Sequence, residues 1–247
     1  MTLPKTLVVI PARMASMRLP GKPLADIAGK PMIAWMVERA RAASVGPVLV
    51  AAAEEEIAQA ARAAGAEAIL TDPALPSGSD RVHAAAEIYD PARALDVVNL
   101  QGDMPTIRPA DIAACVALLR DAEGADIATL VSPSNDPADR DNPNVVKAIV
   151  ALDLGAPASS GRALYFTRAP APSGDGPIWR HVGLYVFRRA ALARFVAAPP
   201  SPLEQREKLE QLRALEMGMS IIAGLTDDFP KGVDSPADLD AARRALS

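Results

Sequence analysis

The sequence predicts an α/β protein with a Rossmann-like architecture, in which helices flank a mixed, mostly parallel sheet. Two observations predict this fold. Apolar, strand-like runs alternate with helical patterns from residue 6 to residue 131, which is typical of a doubly wound sheet. After residue 131 the strand-like runs follow one another through links rich in Pro and Gly. This change of rhythm predicts antiparallel additions on one side of the sheet.

The first half of the chain alternates strand and helix. The β-branched run from Leu7 to Ile10 is typical of a buried strand, and Pro31 suits the first position of a helix. Gly65 is a natural end for the second helix. The predicted elements are a strand from residue 6, a helix from Pro31 with Met32, Met36, Val37 and Ala40 on one face, strand 47–53, helix 55–64, strand 66–71, helix 79–89 with its N-cap at Ser77 or Ser79, strand 95–103, helix 109–121 and strand 126–131.

The second half is richer in strands. Its predicted elements are strands 142–153, 163–169 and 181–189, a loop from Pro170 to Pro177, one long helix from Pro202 to Met217, a strand from Ser220 to Leu225 and a last helix from Pro236 to Leu246. We expect one domain over residues 1–247, made of parts 6–131, 132–230 and 231–247.

Composition excludes several classes of protein. Half of the 247 residues are hydrophobic, which is ample for a core. The net charge of -4 lacks the basic footprint of a nucleic-acid binder, so any phosphate site must be local. The N-terminal apolar stretch is too short for a signal peptide, and no window approaches a membrane span, which predicts a cytoplasmic protein. The single cysteine, Cys115, has a helical core pattern around it.

The first strand passes without a spacer into a loop that carries three cations, Arg13, Arg18 and Lys22. Ligands of α/β sheets bind beyond the carboxyl ends of strands, so this loop suits a polyphosphate. It is not a Walker loop, because Pro23 follows Lys22 where that motif has Ser or Thr. The alternative is a solvated basic loop, but the position after the first strand and the Pro-Gly-Lys turn favour the phosphate site.

Three other segments carry candidate polar groups. Asp103 follows Gly102 at the end of an apolar strand, where a carboxylate can hold a hard cation; its alternative is a turn or N-cap role. The segment from Ser77 to Arg81 suits a base or a phosphate, and its alternative is a plain helix N-cap. Asp234 offers a second carboxylate beside a helix start, and taken alone it is a cap.

Four further polar residues, Arg168, His181, Glu210 and Gln211, lie in otherwise apolar segments. An arginine after an apolar run is more often at a surface end than in a site. His181 is likewise a weak signal by itself, and a structural role is its alternative. His83, the other histidine, has no predicted role.

These segments occur together and in order in one known family. The sequence resembles the 3-deoxy-manno-octulosonate cytidylyltransferases, or CMP-Kdo synthetases, over essentially its whole length. The opening pattern would admit other sugar cytidylyltransferases, whereas the later segments favour the Kdo enzymes. The matching stretches are IPARMASMRLPGKPLADIAGKPMI, PSGSDR, NLQGDMP, NPNVVKAI, ALYFTRAPAP, RHVGLYVFRR, SPLEQREKLEQLRALEMG and GVDSPADL.

Two departures from the family pattern are visible. Ala52 and Ala53 stand before Glu54 where the family usually has a Thr-Asp or Asp-Asp pair, and Met104 follows Asp103 where the family usually has Glu. The roles of those family carboxylates are therefore not carried over to this chain. Asp103 itself is intact.

The resemblance implies a nucleotidyltransferase fold and a Mg²⁺-dependent reaction of CTP with 3-deoxy-D-manno-octulosonate (Kdo), giving CMP-Kdo for lipopolysaccharide synthesis and pyrophosphate. It implies a homodimer and makes 6–131 the nucleotide-binding half, 132–230 the sugar-binding and dimerisation half and 231–247 the closing helix. The implied residues are catalytic Lys22, Arg13, Arg18 and Asp103; nucleotide-binding Pro11, Ala12, Arg13, Lys22, Ser77, Gly78, Asp80, Arg81, Gln101 and Gly102; sugar-binding Gln101, Arg168, His181, Tyr185, Glu210 and Gln211; and metal-binding Asp103 and Asp234.

Two alternatives stay open at this point. The chain could act on another acidic sugar, such as 8-amino-Kdo or a sialic acid. It could also be a non-catalytic regulator that binds a nucleotide on the same fold, since fold does not imply function. Lys22, Asp103 and Asp234 argue against a regulator, because a protein that only binds does not need all three.

Overall fold

The computed structural model describes residues 6–15, 18–153 and 160–247, so Ser16 and Met17 of the opening loop lie outside the described residues. The elements are, in order, β1 Thr6–Ala12, a 3-10 helix Lys22–Leu24, β2 Asp26–Ile27, β3 Lys30–Pro31, α1 Met32–Ala42, β4 Val48–Ala52, α2 Glu55–Ala63, β5 Glu67–Leu70, α3 Gly78–Tyr89, β6 Asp96–Leu100, α4 Pro109–Asp121, β7 Ile127–Ser134, α5 Pro137–Asp141, β8 Lys147–Asp153, β9 Ser160–Thr167, β10 Ile178–Phe187, α6 Arg189–Ala197, α7 Pro202–Glu207, α8 Gln211–Glu216, β11 Ile221–Leu225 and α9 Pro236–Leu246.

The chain divides into two compact units. The first unit comprises Met1–Ala113 and Pro230–Ser247, and the second unit comprises Ala114–Phe229. Compactness does not decide whether the units fold separately, so a single domain stays a prediction. In the described part of the chain, no helix combines the length and apolar character that a membrane span needs.

The first unit contains a parallel sheet in the order β5-β4-β1-β6. All seven residues of β1 are buried, as expected of a central strand made of a continuous apolar run. Helices α1, α2 and α3 pack on this sheet. The carboxyl ends of the four strands lie at one edge, which is where ligands bind in such sheets.

The closing helix α9 completes the first unit. Its start is fixed by a capping box, in which Ser235 and Asp238 exchange hydrogen bonds. Leu239 and Val233 are buried together with Ile27 and Met32, so the helix and the segment before it pack on the small β2–β3 hairpin and the start of α1. This packing brings residues more than 200 positions apart in sequence to one place.

The second unit is dominated by antiparallel pairs. β10 pairs antiparallel with β7 and β8, β9 pairs antiparallel with β8 and β11, and β7 and β11 are parallel. The antiparallel additions predicted for the second half are therefore confirmed. Cys115 is buried as predicted.

One expectation is corrected in the second unit. β7, the last strand of the predicted parallel series, is parallel to β11 and antiparallel to β10. The helix predicted from Pro202 to Met217 is two short helices, α7 and α8, interrupted where Lys208 adopts a left-handed φ of 57°. Helices α5 and α6 were not predicted.

Candidate active site

The loop after β1 is held at both of its described ends. The backbone N–H of Met14 donates to Oε2 of Glu54 at 3.0 Å, and the N–H of Gly21 donates to the carbonyl of Met14 at 3.1 Å. Gly21 has a φ of 71°, a conformation that costs a glycine little. Arg13 and Arg18, which the loop carries, are both exposed. The loop therefore presents two cations to solvent from a fixed backbone.

The first unit brings Asp103 and Asp234 together, although they are far apart in sequence. The backbone N–H of Val233 donates to the carbonyl of Asp103 at 2.8 Å, and the Val233 side chain is buried in the cluster with Ile27 and Met32. One hydrogen bond and one buried side chain thus place the neighbouring Asp234 beside the end of β6.

Both carboxylates face one ammonium group. Nζ of Lys22 lies 3.0 Å from Oδ2 of Asp103 and 3.1 Å from Oδ1 of Asp234. The two carboxylate oxygens are therefore no further apart than the sum of these distances. Arg18 adds a second cation, with Nη2 2.9 Å from Oδ2 of Asp234. This cluster of two acids and two bases is the charged centre of the site.

The residues present fit a magnesium ion. The Lys22 ammonium already shows that a cation is stable between Asp103 and Asp234. Magnesium favours few protein carboxylates, with water and phosphate oxygens as its other ligands, so two carboxylates suffice. Over residues 6–15, 18–153 and 160–247, no group of three or more His, Cys, Asp and Glu side chains could hold a metal, so a larger protein donor set is not available there.

Two glycines, Gly78 and Gly102, also line the site. A methyl group at Gly102 would lie 2.8 Å from the carbonyl oxygen of Pro11, so only glycine fits this close approach of backbones. A methyl group at Gly78 would lie 3.4 Å from Oε1 of Gln101. The backbone of Gly102 therefore lies beside that of Pro11, and Gly78 lies beside the Gln101 amide.

The cleft that these residues line has a volume of about 340 Å³. It brings together the cationic loop, the carboxylate pair and the two glycine segments, all within the first unit. Asp80 is the predicted nucleotide residue outside this lining. Its carboxylate accepts from the Ser77 hydroxyl at 2.6 Å. Its backbone N–H donates to the same hydroxyl oxygen at 3.2 Å, which is the N-cap role given above as the alternative. The cleft is lined by Pro11, Ala12, Arg13, Ala15, Arg18, Lys22, Pro23, Ser77, Gly78, Arg81, Gln101, Gly102, Asp103 and Asp234.

Arg81 is part of the core as well as of the cleft lining. Only 2% of it is exposed, and its guanidinium donates to the Thr71 hydroxyl. Burial, and next the positive charge of Arg13, lower the pKa of Arg81, whereas the charge of Glu54 acts in the opposite direction. Arg81 therefore contributes a fixed positive charge whose position cannot adapt to a ligand.

Asn99 is a site residue that sequence reasoning missed. It is fully buried on β6, where its Oδ1 accepts from Nε2 of Gln101 at 2.9 Å and its Nδ2 donates to the Ser79 hydroxyl at 3.3 Å. These bonds fix the orientation of the Gln101 amide. The signal was present in the sequence as one amide inside an apolar strand.

In the second unit, His181 lies in an aromatic and hydroxyl environment. Its ring is 5.0 Å from that of Phe166 and 5.3 Å from that of Tyr185. The Thr129 hydroxyl has one hydrogen and lies 2.8 Å from the carbonyl oxygen of Leu184, to which it donates. Nε2 of His181, 3.0 Å from the same hydroxyl, must therefore be the donor of that contact. This tautomer leaves Nδ1 of His181 as an acceptor.

Titration of His181 predicts a loss of stability on mild acidification. Burial lowers the pKa of His181 to about 3, well below the value of about 6.5 for an unfolded histidine. The unfolded state therefore binds the proton first, and stability falls as pH drops below about 6.5. Because the residue keeps some solvent access, we expect His181 to account for about 1 kcal/mol of unfolding free energy lost between pH 7 and pH 5. Urea unfolding of wild type and His181→Gln measures the difference.

His83→Gln is the matched control for this measurement, because it removes the other histidine and keeps His181. It should retain the loss assigned to His181. A wild-type protein and a His181→Gln variant with equal pH dependence above pH 5 would show that His181 is not held neutral.

The other predicted sugar residues have distinct environments in the second unit. Burial, and next the charge of Glu210, raise the pKa of Tyr185 well above its ordinary value, so its phenol keeps its proton. Gln211 is the buried first residue of α8, and Glu210 precedes it. The structure thus brings His181, Tyr185 and Glu210 into one neighbourhood.

Arg168 is largely engaged by backbone carbonyl groups. Its guanidinium donates to the carbonyls of Glu207 at 2.9 Å and Pro143 at 2.9 Å, with a longer contact of 3.4 Å to Lys208. The bonds to Glu207 and Lys208 satisfy carbonyls at the break between α7 and α8. Within the part of the chain that the structure describes, three of its five N–H groups are used in this way.

Comparison with known proteins identifies the family. Residues 7–221 match the model of the cytidylyltransferase family. A protein of Rhodopseudomonas palustris strain BisB5 named 3-deoxy-manno-octulosonate cytidylyltransferase is 58% identical over all of this chain and 99% of its own length. A protein of the same name from Parvibaculum lavamentivorans is 60% identical over 98% of this chain and 92% of its own length. The chain belongs to the cytidylyltransferase family.

Solved structures agree with the fold of this cytidylyltransferase. A CMP:2-keto-3-deoxy-manno-octonic acid synthetase complexed with CTP superposes with a TM-score of 0.89, at 37% identity and with 98% of each chain covered. A cytidylyltransferase from Leptospira borgpetersenii, at 18% identity and a TM-score of 0.63, shows the shared fold alone. The predicted fold class, the family resemblance and the assignment as a nucleotidyltransferase are confirmed.

The departures of this cytidylyltransferase from the family pattern have structural counterparts. Ala52 and Ala53 are buried at the end of β4, where a carboxylate would lose its hydration. Met104 is 4% exposed and packs in the core, directly after Asp103. None of Ala52, Ala53 and Met104 carries a carboxylate. The first acidic side chain after β4 is that of Glu54.

Proposed function

We propose that this cytidylyltransferase transfers a cytidylyl group from CTP to Kdo, giving CMP-Kdo and pyrophosphate. The observation that carries the proposal is the convergence of Lys22, Asp103 and Asp234 in a cleft lined by the cationic loop. The names of relatives that are 57–60% identical over nearly the whole chain support the choice of substrates.

In this reaction the anomeric hydroxyl of the sugar attacks the α-phosphorus of CTP. A new bond forms between the sugar oxygen and the phosphorus, the bond from the α-phosphorus to the oxygen that bridges it to the β-phosphorus breaks, and the hydroxyl proton is lost to water. Such transfers depend on positioning and on neutralising the charge of the leaving group more than on a protein nucleophile. Arg13, Arg18 and Lys22 would bind the triphosphate and neutralise the leaving pyrophosphate.

Asp103 and Asp234 would hold magnesium, which when bound neutralises phosphate oxygens and lowers the pKa of a coordinated hydroxyl. With such an ion in place a dedicated general base is unnecessary. Lys22 would then exchange its carboxylate partners for a phosphate oxygen, because one ammonium and one metal ion compete for the same two oxygens. This keeps the net charge of the centre nearly balanced in both states.

We assign contacts with the acidic sugar to Gln101, Arg168, His181, Tyr185, Glu210 and Gln211, on the basis of the resemblance. The guanidinium of Arg168 suits the sugar carboxylate, and Nδ1 of His181 could accept a hydrogen bond from a sugar hydroxyl. The neutral Tyr185 phenol can donate or accept. We expect these side chains, which differ in charge and shape, to distinguish one acidic sugar from another.

Selection of cytosine is expected at the segment from Ser77 to Arg81. A backbone carbonyl there would accept from the amino group of cytosine and repel the oxygen that uracil has in its place. Asp80 is engaged with Ser77, so the backbone at Ser77 and Gly78 is the better candidate. We expect kcat/KM for CTP to exceed that for UTP by roughly 10-fold to 1000-fold. Equal use of both nucleotides would remove this role.

The function is tested by pyrophosphate release with a panel of nucleotides and acidic sugars. Release with CTP and Kdo is the expected result, with 8-amino-Kdo and sialic acid as the competing substrates. Preference for another acidic sugar would keep the chemistry and change the substrate. CTP binding without release for any sugar would favour the non-catalytic regulator instead.

The homodimer and the cytoplasmic location stay predictions. Sedimentation at micromolar protein concentration tests the first, because a dimer has twice the mass of the 25.8 kDa chain.

A further inference from the structure

Glu54 has the backbone of a helix N-cap but uses its side chain elsewhere. It directly precedes α2, with φ -129° and ψ 150°, and its side chain makes no hydrogen bond that caps the helix. Instead, Oε2 accepts the backbone N–H of Met14 at 3.0 Å, a contact across 40 positions of sequence. The carboxylate is thus committed to the loop after β1.

The backbone next to Glu54 is tied to the same loop. The N–H of Ala53 donates to the carbonyl of Ala12 at 3.0 Å, which extends the β1–β4 pairing. The Glu54 side chain then binds the second amide beyond Ala12. Arg13 lies between these two tied points, so the direction in which its side chain leaves the backbone is fixed on both sides.

The charge of Glu54 also matters at this place. Arg13 and Arg81 both line the cleft, and the charge of Arg13 lowers the pKa of Arg81. The charges of Arg13 and Arg81 repel one another, and this repulsion favours movement of the loop that carries Arg13 away from Arg81. Glu54 acts on Arg81 with the opposite sign, so it offsets part of this repulsion from outside the cleft lining.

We propose that Glu54 is a positioning residue for the triphosphate of the nucleotide: it holds the Met14 amide, and through it Arg13, in the geometry that binds phosphate. It does so without touching the substrate. The proposal rests on the proposed function for the identity of the ligand. It also gives this chain an acidic residue that organises the loop although Ala52 and Ala53 are apolar.

The test uses the full chain and three variants. Glu54→Ala removes the acceptor and the charge, Glu54→Gln keeps an acceptor oxygen and removes only the charge, and Glu55→Gln is the matched control on an exposed neighbour that pairs with Arg62. Hydrogen exchange of the Met14 amide is measured by NMR without substrate. CTP and Kdo affinities are measured by calorimetry, and kcat by pyrophosphate release.

For Glu54→Ala we expect the protection of the Met14 amide to fall at least tenfold and CTP affinity to fall on the order of tenfold, with Kdo affinity unchanged. Glu54→Gln should keep the Met14 protection and lose less CTP affinity. Glu55→Gln should match wild type. A general structural effect would instead weaken both ligands or leave the Gln variant as impaired as the Ala variant.

Wild-type exchange of Met14 in Glu54→Ala, or lost protection with unchanged CTP affinity, would overturn the proposal. If Glu54→Ala does not fold, Glu54→Asp takes its place, because the shorter side chain keeps the charge and withdraws the acceptor from the Met14 amide. Lost Met14 protection with weakened CTP binding and unchanged Kdo affinity supports the proposal, and wild-type protection or unchanged CTP affinity contradicts it. Because exchange and CTP affinity need no turnover, absence of pyrophosphate release in wild type would count against the proposed function only.

Discussion

Asp103→Asn and Asp234→Asn should each lower kcat/KM for cytidylyl transfer by at least about 100-fold. Each variant keeps the size of the side chain and removes one of the two negative charges that face Lys22. A magnesium ion held by one carboxylate in place of two is bound more weakly and placed less accurately against the phosphates. Raising the magnesium concentration should restore the activity only in part, since occupancy recovers but placement does not.

Folding should survive both changes, because the carboxylates are 29% and 43% exposed and their ion pairs are worth little to stability. Thermal unfolding of each variant gives this control. Asp240→Asn, which removes an exposed carboxylate paired with Arg243, is the matched substitution and should keep wild-type activity. Full activity in Asp103→Asn or Asp234→Asn at ordinary magnesium would exclude that residue as a metal ligand.

Lys22→Ala should lose roughly 10²-fold to 10³-fold in kcat/KM, a few kcal/mol of transition-state stabilisation. The Lys22 side chain is 16% exposed, so water screens its charge poorly from a phosphate bound in the cleft. Without the Lys22 ammonium, the site has one cation fewer to offset the charge of Asp103 and Asp234. The negative charge that develops on the leaving pyrophosphate is then stabilised less. The loss should appear mainly in kcat/KM, measured by pyrophosphate release.

The unfolding free energy of Lys22→Ala should change by less than about 1 kcal/mol, because its partners keep solvent access. Lys30→Ala removes an exposed lysine that pairs with Glu38 and serves as the matched control, with activity like wild type. A folded Lys22→Ala variant with near-normal turnover would contradict the role of Lys22.

Local patterns predicted the first unit well. The bounds of α9 agree with the sequence prediction, and Ser77 is the N-cap of α3, because helix periods and caps are local signals. No local sequence pattern predicted that Asp103 and Asp234 lie close together. It depends on the Val233 amide and on the apolar cluster that docks α9, both of which are long-range contacts.

The second unit shows why the remaining features escaped prediction. Lys208 is a non-glycine residue in a left-handed conformation, and no residue type marks such a helix break in advance. The break is stabilised by Arg168, whose sequence position indicated a surface end or a ligand contact rather than a backbone contact. The hydroxyl of Thr129 fixes the tautomer of His181. Because threonine is common in strands, its presence in an apolar strand did not predict this contact.

A crystal structure with CTP, Kdo and magnesium bound tests the central claim most directly. The account predicts one magnesium ion ligated by both Asp103 and Asp234 at about 2.1 Å, with Nζ of Lys22 moved from the carboxylates to a phosphate oxygen. An ion bound away from these carboxylates, or side chains of Asp103 and Asp234 more than roughly 8 Å apart and thus beyond the reach of a shared metal, would contradict it.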